Sequence, residues 1–421
     1  MARRAVAPIV TAILVTGSSL AYGPPSVAAT EAYTNPILTW DRIAETAIFD
    51  VAGHAPQIQS RGASMVHGAI YDAVNAIAGT PYQPYLVAPP ATGSESTDAA
   101  VATAAFRVLD SLFPAQHASL QTRYDESLAA IPNGTAKTRG IDIGTRTASA
   151  MITFRQNDGA FGPQTFPVGT QPGQWRPTPP GFGNDGAWVG HMKPFLVPSA
   201  TMFRTAGPPA LTSSQYARDY NEVKKLGRVT GSTRTADQTE AAIWWHDRRL
   251  PAWEIKRQLA TNQRLSVLRT ARMFAMVNLT EADADIACYN EKAAWGRWRP
   301  ITAIQLGDTD GNSATVPDPT WTPLLVTPPH PDYTSGHTCH TAATMSTLAY
   351  FFGRDTIPFS AYSSDSGTRR HFGSFSAALA EVIEARIWGG IHTRSADEQG
   401  ARIGLKTMAY MKDRYFRPTA G

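Results

Sequence analysis

Cysteine is almost absent from this chain. Cys288 and Cys339 are the only two in 421 residues, so at most one disulfide can form and a disulfide-stapled scaffold is excluded. Strand-like alternation is scarce throughout, and no internal repeat stands out. Beyond the first thirty residues no apolar run is long enough for a membrane span. Charge of either sign is never concentrated: no lysine/arginine block occurs, which leaves no support for nucleic-acid binding or for docking on an acidic membrane through bulk charge. What remains is ordinary folding material. The chain is 43% hydrophobic and 17% charged, enough for a large core or two merged helical units.

Residues 1–29 open with Arg3-Arg4, continue through a short apolar stretch broken at Gly17-Ser18-Ser19, and end in Val27-Ala28-Ala29. This pattern predicts an export signal, a mature chain beginning near Thr30, and a secreted protein. Removing it takes the formal charge from +4 to +2, close to balance.

Apolar residues at three- and four-residue intervals predict helices over 60–77, 98–112, 115–131 and 135–156. His67 interrupts the first apolar face and reads as a satisfied core histidine. From 157 to 212 the composition turns to Gly, Pro, Thr and Phe. Proline removes donors and glycine costs backbone entropy, so this stretch predicts a long ordered excursion that packs its aromatics against the protein. Helices are predicted again over 214–226, 235–247, 251–298, 335–352, 374–388 and 395–414. The fold class is all-α. Residues 30–230 form an N-terminal helical half containing the excursion, and 231–421 a C-terminal half, merged in one unit.

Three clusters carry chemistry. In YNEKAAWGRWRPITAI, Lys292 and Arg299 stand seven apart, about two turns, which places both cations on one helix face, with Pro300 putting Arg299 at the helix end. In HPDYTSGHTCH, residues 330–340, Thr334 or Ser335 suits a helix N-cap, and Gly336 lets the backbone approach a ligand. The unpaired N–H groups of that first turn make an anion site, and His337 there can face a bound oxyanion as proton donor. In EARIWGGIHTRSAD, Arg386 ends a helical run, and a turn at Gly389-Gly390 can bring Arg386 and His392 to one pocket. Taken singly, each cluster also reads as a solvated face, a plain cap or surface residues. Together they provide three cations, a helix N-terminus, a proton carrier and a second imidazole, the composition of a tetrahedral oxyanion site.

The series K-x6-R-P, S-G-H and R-x5-H resembles the vanadium-dependent haloperoxidases and the related acid phosphatases of the type-2 phosphatidic acid phosphatase superfamily. RGASMVHGAIYDAVNA, from Arg61 to Ala76, is similar to the N-terminal helix of secreted bacterial members. The resemblance implies a large helical bundle with long irregular loops, and vanadate as cofactor. It implies that Lys292, Arg299 and Arg386 bind equatorial oxygens, that Ser335 and the Gly336 amide complete the cradle, that His392 is the ligand to vanadium, and that His337 is the acid–base partner. The chain departs from the family pattern at Thr334 in place of proline, at Ala385 in place of serine, and at Asp397, five rather than four residues beyond His392, which puts in doubt Asp397 as the group that orients His392.

The resemblance implies that hydrogen peroxide oxidises a halide to a hypohalous-acid equivalent that acts on a small organic acceptor. His330 stands where family members resembling bromoperoxidases often carry histidine, so bromide and iodide are expected over chloride, with Tyr289 as the other wall of the halide pocket. Two other functions suit the same residues: an acid phosphatase forming a phosphohistidine at His392, and a non-catalytic oxyanion-binding protein. The long N-terminal half and TPPHPDYTSGH resemble the haloperoxidase branch, and both histidines needed for catalysis are present. His340 is expected to be a packed or solvated helix residue. If both motifs meet at one oxyanion, Cys288 and Cys339 lie on neighbouring helices, where a disulfide or two buried thiols are both open. DTDGN at 308–312 lacks the glutamate of a calcium loop and reads as a turn. Homo-oligomerisation is left open.

Overall fold

The computed structural model describes residues 35–247, 249 and 253–419, and the expected export signal lies outside them. Nearly all the regular secondary structure of the described residues is helical. In chain order the helices are α1 (Pro36–Glu45), α2 (Pro56–Ile77), α3 (Thr97–Leu112), α4 (His117–Ala129) and α5 (Thr135–Phe154), then α6 (Ser214–Leu226), α7 (Ala236–Trp244), α8 (Glu254–Asn262) and α9 (Val267–Trp295), and finally α10 (Pro300–Gln305), α11 (Gly336–Phe352), α12 (Phe375–Trp388) and α13 (Arg394–Arg414). Two short strands, β1 (Phe359–Ser363) and β2 (Thr368–Phe372), form an antiparallel hairpin that pairs Phe359 with Phe372.

The organising element is α9. Every side chain from Met273 to Tyr289 is buried, as expected of a helix surrounded on all sides, and it packs against α2 of the N-terminal half and against α11 and α13 of the C-terminal half. Its acids are paired. Asp283 accepts the backbone N–H groups of Phe195, Leu196 and Val197 at 2.6–2.7 Å, which fastens the Gly/Pro-rich excursion to the core. Asp72 on α2 does the same for Tyr85, Leu86 and Val87 at 2.6–2.9 Å. Deleting either carboxylate strands three donors, at roughly 1–3 kcal/mol for each one that stays buried. The excursion is therefore ordered with only one short 3-10 helix of its own, Ala187–His191, as its composition predicts. His67 is a satisfied core residue, bonded to Asp41 at 2.9 Å.

Two differences from the sequence reading concern continuity. The helix expected over 251–298 is two, because the chain turns at Arg264 (φ 47°) and Ser266 then caps α9. The helix also ends at Trp295. Arg299 is therefore not two turns along from Lys292 on the same helix; it is the N-cap of α10, with Pro300 at the first helical position.

Glycines set the crossing of α11 and α13. A Cβ at Gly404 would lie 2.3 Å from Cys339 O, and one at Gly400 2.6 Å from Ser335 O. Larger residues would push α13 off the N-terminal turn of α11. Among the described residues no helix is long and apolar enough to cross a membrane.

Candidate active site

Five segments converge. The C-terminal end of α9 supplies Tyr289 and Lys292, the start of α10 Arg299, the loop before α11 His330 and Asp332, the N-terminus of α11 Ser335, Gly336 and His337, and the end of α12 with its following turn Arg386 and His392. Gly390 has φ +76°, and a Cβ there would lie 2.3 Å from Gly227 O. This is the turn that carries His392 back beside Arg386, as the sequence predicts. A cavity of about 460 Å³ opens onto Tyr289, His330, Gly336, His337, Arg386 and His392.

The three cations are fully buried, and none forms an ion pair with a described carboxylate. Lys292 Nζ donates to Pro331 O (2.7 Å) and Asp332 O (3.2 Å). Arg299 is held by His330 O and Ile391 O, both at 2.6 Å, and is clasped by two imidazoles, His330 Nδ1 at 3.0 Å and His392 Nε2 at 3.1 Å. Arg386 has one long bond, Nη1 to Trp245 O at 3.4 Å, and its Nε and Nη2 find no partner. Ser335 caps α11 by position only: its buried Oγ is also without a partner. Burial lowers Lys292 to about 8, Arg299 to about 10 and Arg386 to about 9. Uncompensated buried cations are costly. A donor set of this kind, with unspent N–H and O–H groups, fits an oxyanion such as vanadate and not a metal cation. Among the described residues, no group of three or more His, Cys, Asp or Glu side chains is placed to hold a metal ion.

The histidines are neutral. Burial, reinforced chiefly by Arg299 for His392 and by Arg386 for His337, pushes both well below the usual imidazole range; His330 is lowered by burial and Lys292. For His392 the partners fix the tautomer. Nδ1 lies 2.6 Å from Asp332 Oδ1 and must donate; Nε2 faces the Arg299 guanidinium and must accept. The His392–Asp332 contact is accordingly a hydrogen bond from a neutral ring rather than an ion pair. His330 accepts from Arg299 at Nδ1, so its Nε2–H points to Tyr289 Oη at 3.2 Å.

All the sequence-predicted site residues, from Tyr289 to His392, thus belong to one locality. Asp397 does not orient His392: it lies in the first turn of α13, where burial holds it well above the usual carboxylate range against the pull of Ser335 and Arg386. Asp332 takes that place and was missed. It lies inside the quoted HPDYTSGHTCH, but nothing in that stretch links it to a residue sixty positions on. His340 is packed, with Nδ1 3.2 Å from Asp285 and Nε2 3.7 Å from Glu281, yet it also borders the cavity. Cys288 and Cys339 are free buried thiols, not a disulfide; Thr334 Oγ1 stands 3.0 Å from one sulfur and 3.8 Å from the other. In DTDGN, Asp310 accepts the Asn312 amide at 2.8 Å, closing a turn.

Comparison with known proteins bears on the fold. Residues 272–419 match a family described as the VCPO second helical-bundle domain. The fold is similar to that of a bacterial vanadium-dependent iodoperoxidase, with a TM-score of 0.77 at 23% identity over 93% of this chain and 99% of that one. It is also similar to bacterial vanadium-dependent chloroperoxidases in their apo form (0.69, 16% identity, 85% and 93% of the two chains) and holo form (0.69, 17%, 90% and 97%). No curated protein matches the chain.

Proposed function

We propose that this chain, which has the helical fold of the vanadium haloperoxidases, is an exported vanadate-dependent haloperoxidase that oxidises bromide and iodide in preference to chloride. The observation that carries the reading is the set of three buried, unpaired cations beside partnerless Ser335 Oγ and Arg386 N–H groups, with His392 and His337 at the same cavity.

Lys292, Arg299 and Arg386 hold the oxygens of vanadate by charge, Ser335 and the Gly336 amide complete the cradle, and the Nε2 lone pair of His392 is the ligand. Vanadate bound there supplies a Lewis acid that activates hydrogen peroxide toward a halide. Oxidation of a halide by peroxide to hypohalous acid and water consumes one proton. His337, kept neutral and facing the cavity, takes up that proton at a ring nitrogen and delivers it to the peroxide oxygen that leaves as water. His330 and Tyr289, bonded to each other, form a polar wall suited to the more easily oxidised halides. The cavity's volume, with Pro56, Val326, Pro328 and Pro329 at its border, suits a small organic acceptor.

The test is a peroxide-dependent bromination of a phenolic dye with and without added orthovanadate, run beside hydrolysis of a phosphomonoester. Vanadate-dependent bromination is expected. Efficient phosphomonoester hydrolysis with no bromination, and vanadate acting only as an inhibitor, would replace this reading with a phosphatase working through His392.

A further inference from the structure

Asp332 is a fully buried carboxylate whose contacts join two walls of the site. Its Oδ1 accepts from His392 Nδ1 at 2.6 Å and its Oδ2 from Thr393 Oγ1 at 2.7 Å, while its own backbone carbonyl accepts from Lys292 Nζ at 3.2 Å and its amide donates to Arg297 O at 3.0 Å. Among the described residues no other carboxylate hydrogen-bonds to His392. An imidazole chooses its protonated nitrogen according to the partner the other nitrogen finds. With Asp332 in place, the proton sits on Nδ1 and the lone pair of Nε2 points toward Arg299 and the cradle. Without it, either nitrogen can carry the proton, and in one of the two tautomers Nε2–H would face a guanidinium.

We propose that Asp332 is the positioning residue that fixes the tautomer and aim of His392, so that Nε2 is an electron-pair donor to vanadate before the anion arrives. The inference rests on the vanadate reading above, and it has a consequence of unusual sign. The carboxylate is a negative charge in an anion site, so for an anion held by charge alone Asp332 is a hindrance. For an anion that also bonds to His392 it is a help. Deleting it should therefore move the two kinds of affinity in opposite directions, which a general collapse of the site would not do.

The experiment titrates the vanadate-free wild type, Asp332→Ala and Asp332→Asn with orthovanadate and with sulfate by calorimetry, and reads the His392 tautomer by nitrogen-15 NMR. In Asp332→Ala, vanadate affinity should fall about 10–100-fold, the usual cost of losing the group that orients a ligand histidine, while sulfate affinity holds or rises. Asp332→Asn keeps an acceptor oxygen, so it should retain the Nδ1–H tautomer and recover most of the vanadate affinity. A parallel loss of both anions in both variants, or unchanged vanadate affinity in Asp332→Ala, overturns the proposal. A wild type that binds vanadate no better than sulfate overturns the vanadate reading instead, and the tautomer of His392 in wild type against Asp332→Asn and Asp332→Ala still decides the role of Asp332. If Asp332→Ala does not fold, Asp332→Asn carries the test through the amide's missing charge: sulfate must bind at least as tightly as to wild type, and a loss overturns the proposal.

Discussion

Arg386→Met should make the anion-free protein more stable and, in the same stroke, unable to hold its anion. The guanidinium has no exposed surface, a single long hydrogen bond to Trp245 O, and two nitrogens with no partner. Burial lowers it to about 9. Its folded value lies below its unfolded one, so the charged form is disfavoured by folding: the penalty is complete below about 9 and fades only as pH rises toward the ordinary guanidinium range. At about 1.4 kcal/mol for each pH unit the shift corresponds to an upper bound of roughly 4–5 kcal/mol. Replacing buried charge by an apolar side chain of similar length typically returns about 1–4 kcal/mol, so we expect a gain of about 2–3 kcal/mol at pH 7. That is a rise in melting temperature of about 2–4 °C for a chain of this size. Melting curves in anion-free buffer and with added sulfate are the assay. Sulfate should stabilise the wild type in proportion to the logarithm of its concentration and leave Arg386→Met unmoved. The reasoning fails if the variant melts below the wild type without anion, since Arg386 would then be satisfied by the fold and not waiting for a ligand.

His392→Ala should lose vanadate affinity and bromination together, whereas His337→Ala should keep vanadate by equilibrium binding while bromination slows by ~10²–10⁴-fold, the cost of lost acid–base catalysis. Sulfate affinity should fall as pH rises through 8 and beyond, by up to about tenfold per unit for each cation that discharges: Lys292, lowered first by burial and then by Arg299, gives up its proton near 8, Arg386 near 9 and Arg299 near 10; an affinity constant to pH 10 would remove Lys292 and Arg386 from the cradle. His330→Phe should raise the ratio of chloride to bromide turnover by about tenfold, ~1.4 kcal/mol in relative barrier, measured at equal halide concentrations. Denatured, unreduced protein should titrate as two thiols per chain; none would mean that Cys288 and Cys339 are joined.

The helices were legible because apolar spacing in this chain is regular and the polar separators are good caps: α6 spans the predicted 214–226, and α11, α12 and α13 begin within one residue of expectation. Where the chain breaks a helix at a residue other than proline or glycine, apolar spacing carries across the break. Leu265 and Val267 keep apolar spacing across the turn at Arg264, so α8 and α9 looked continuous. The hairpin went unassigned although Phe359, Ala361 and Ser363 are alternately buried. Five-residue strands give too few repeats for a period of two to stand out from the surrounding polar residues. Its turn, Ser364 to Gly367, was the stronger signal.

Site residues were legible for a different reason. Lys292, Ser335-Gly336-His337, Arg386 and His392 lie in three short segments whose internal spacing carries the chemistry, so no tertiary knowledge is needed to suspect them. What spacing cannot convey is satisfaction. Glu281, Asp283 and Asp285 on α9 are as buried as Lys292, yet each has its partners: Lys256 and Thr344 for the first, three backbone amides for the second, His340 for the third. Those partners come from the excursion, from α8 and from α11, up to about ninety residues away, and the sequence treats all four charges alike. Only the folded chain separates them. Polar groups that serve the architecture are paired by it, as buried groups generally must be, while the unspent donors gather at Ser335 and Arg386 beside a neutral, tautomer-fixed His392. A fold that can satisfy Asp283 three times over leaves Arg386 nearly bare, and the difference marks where a ligand, and not the protein, completes the structure.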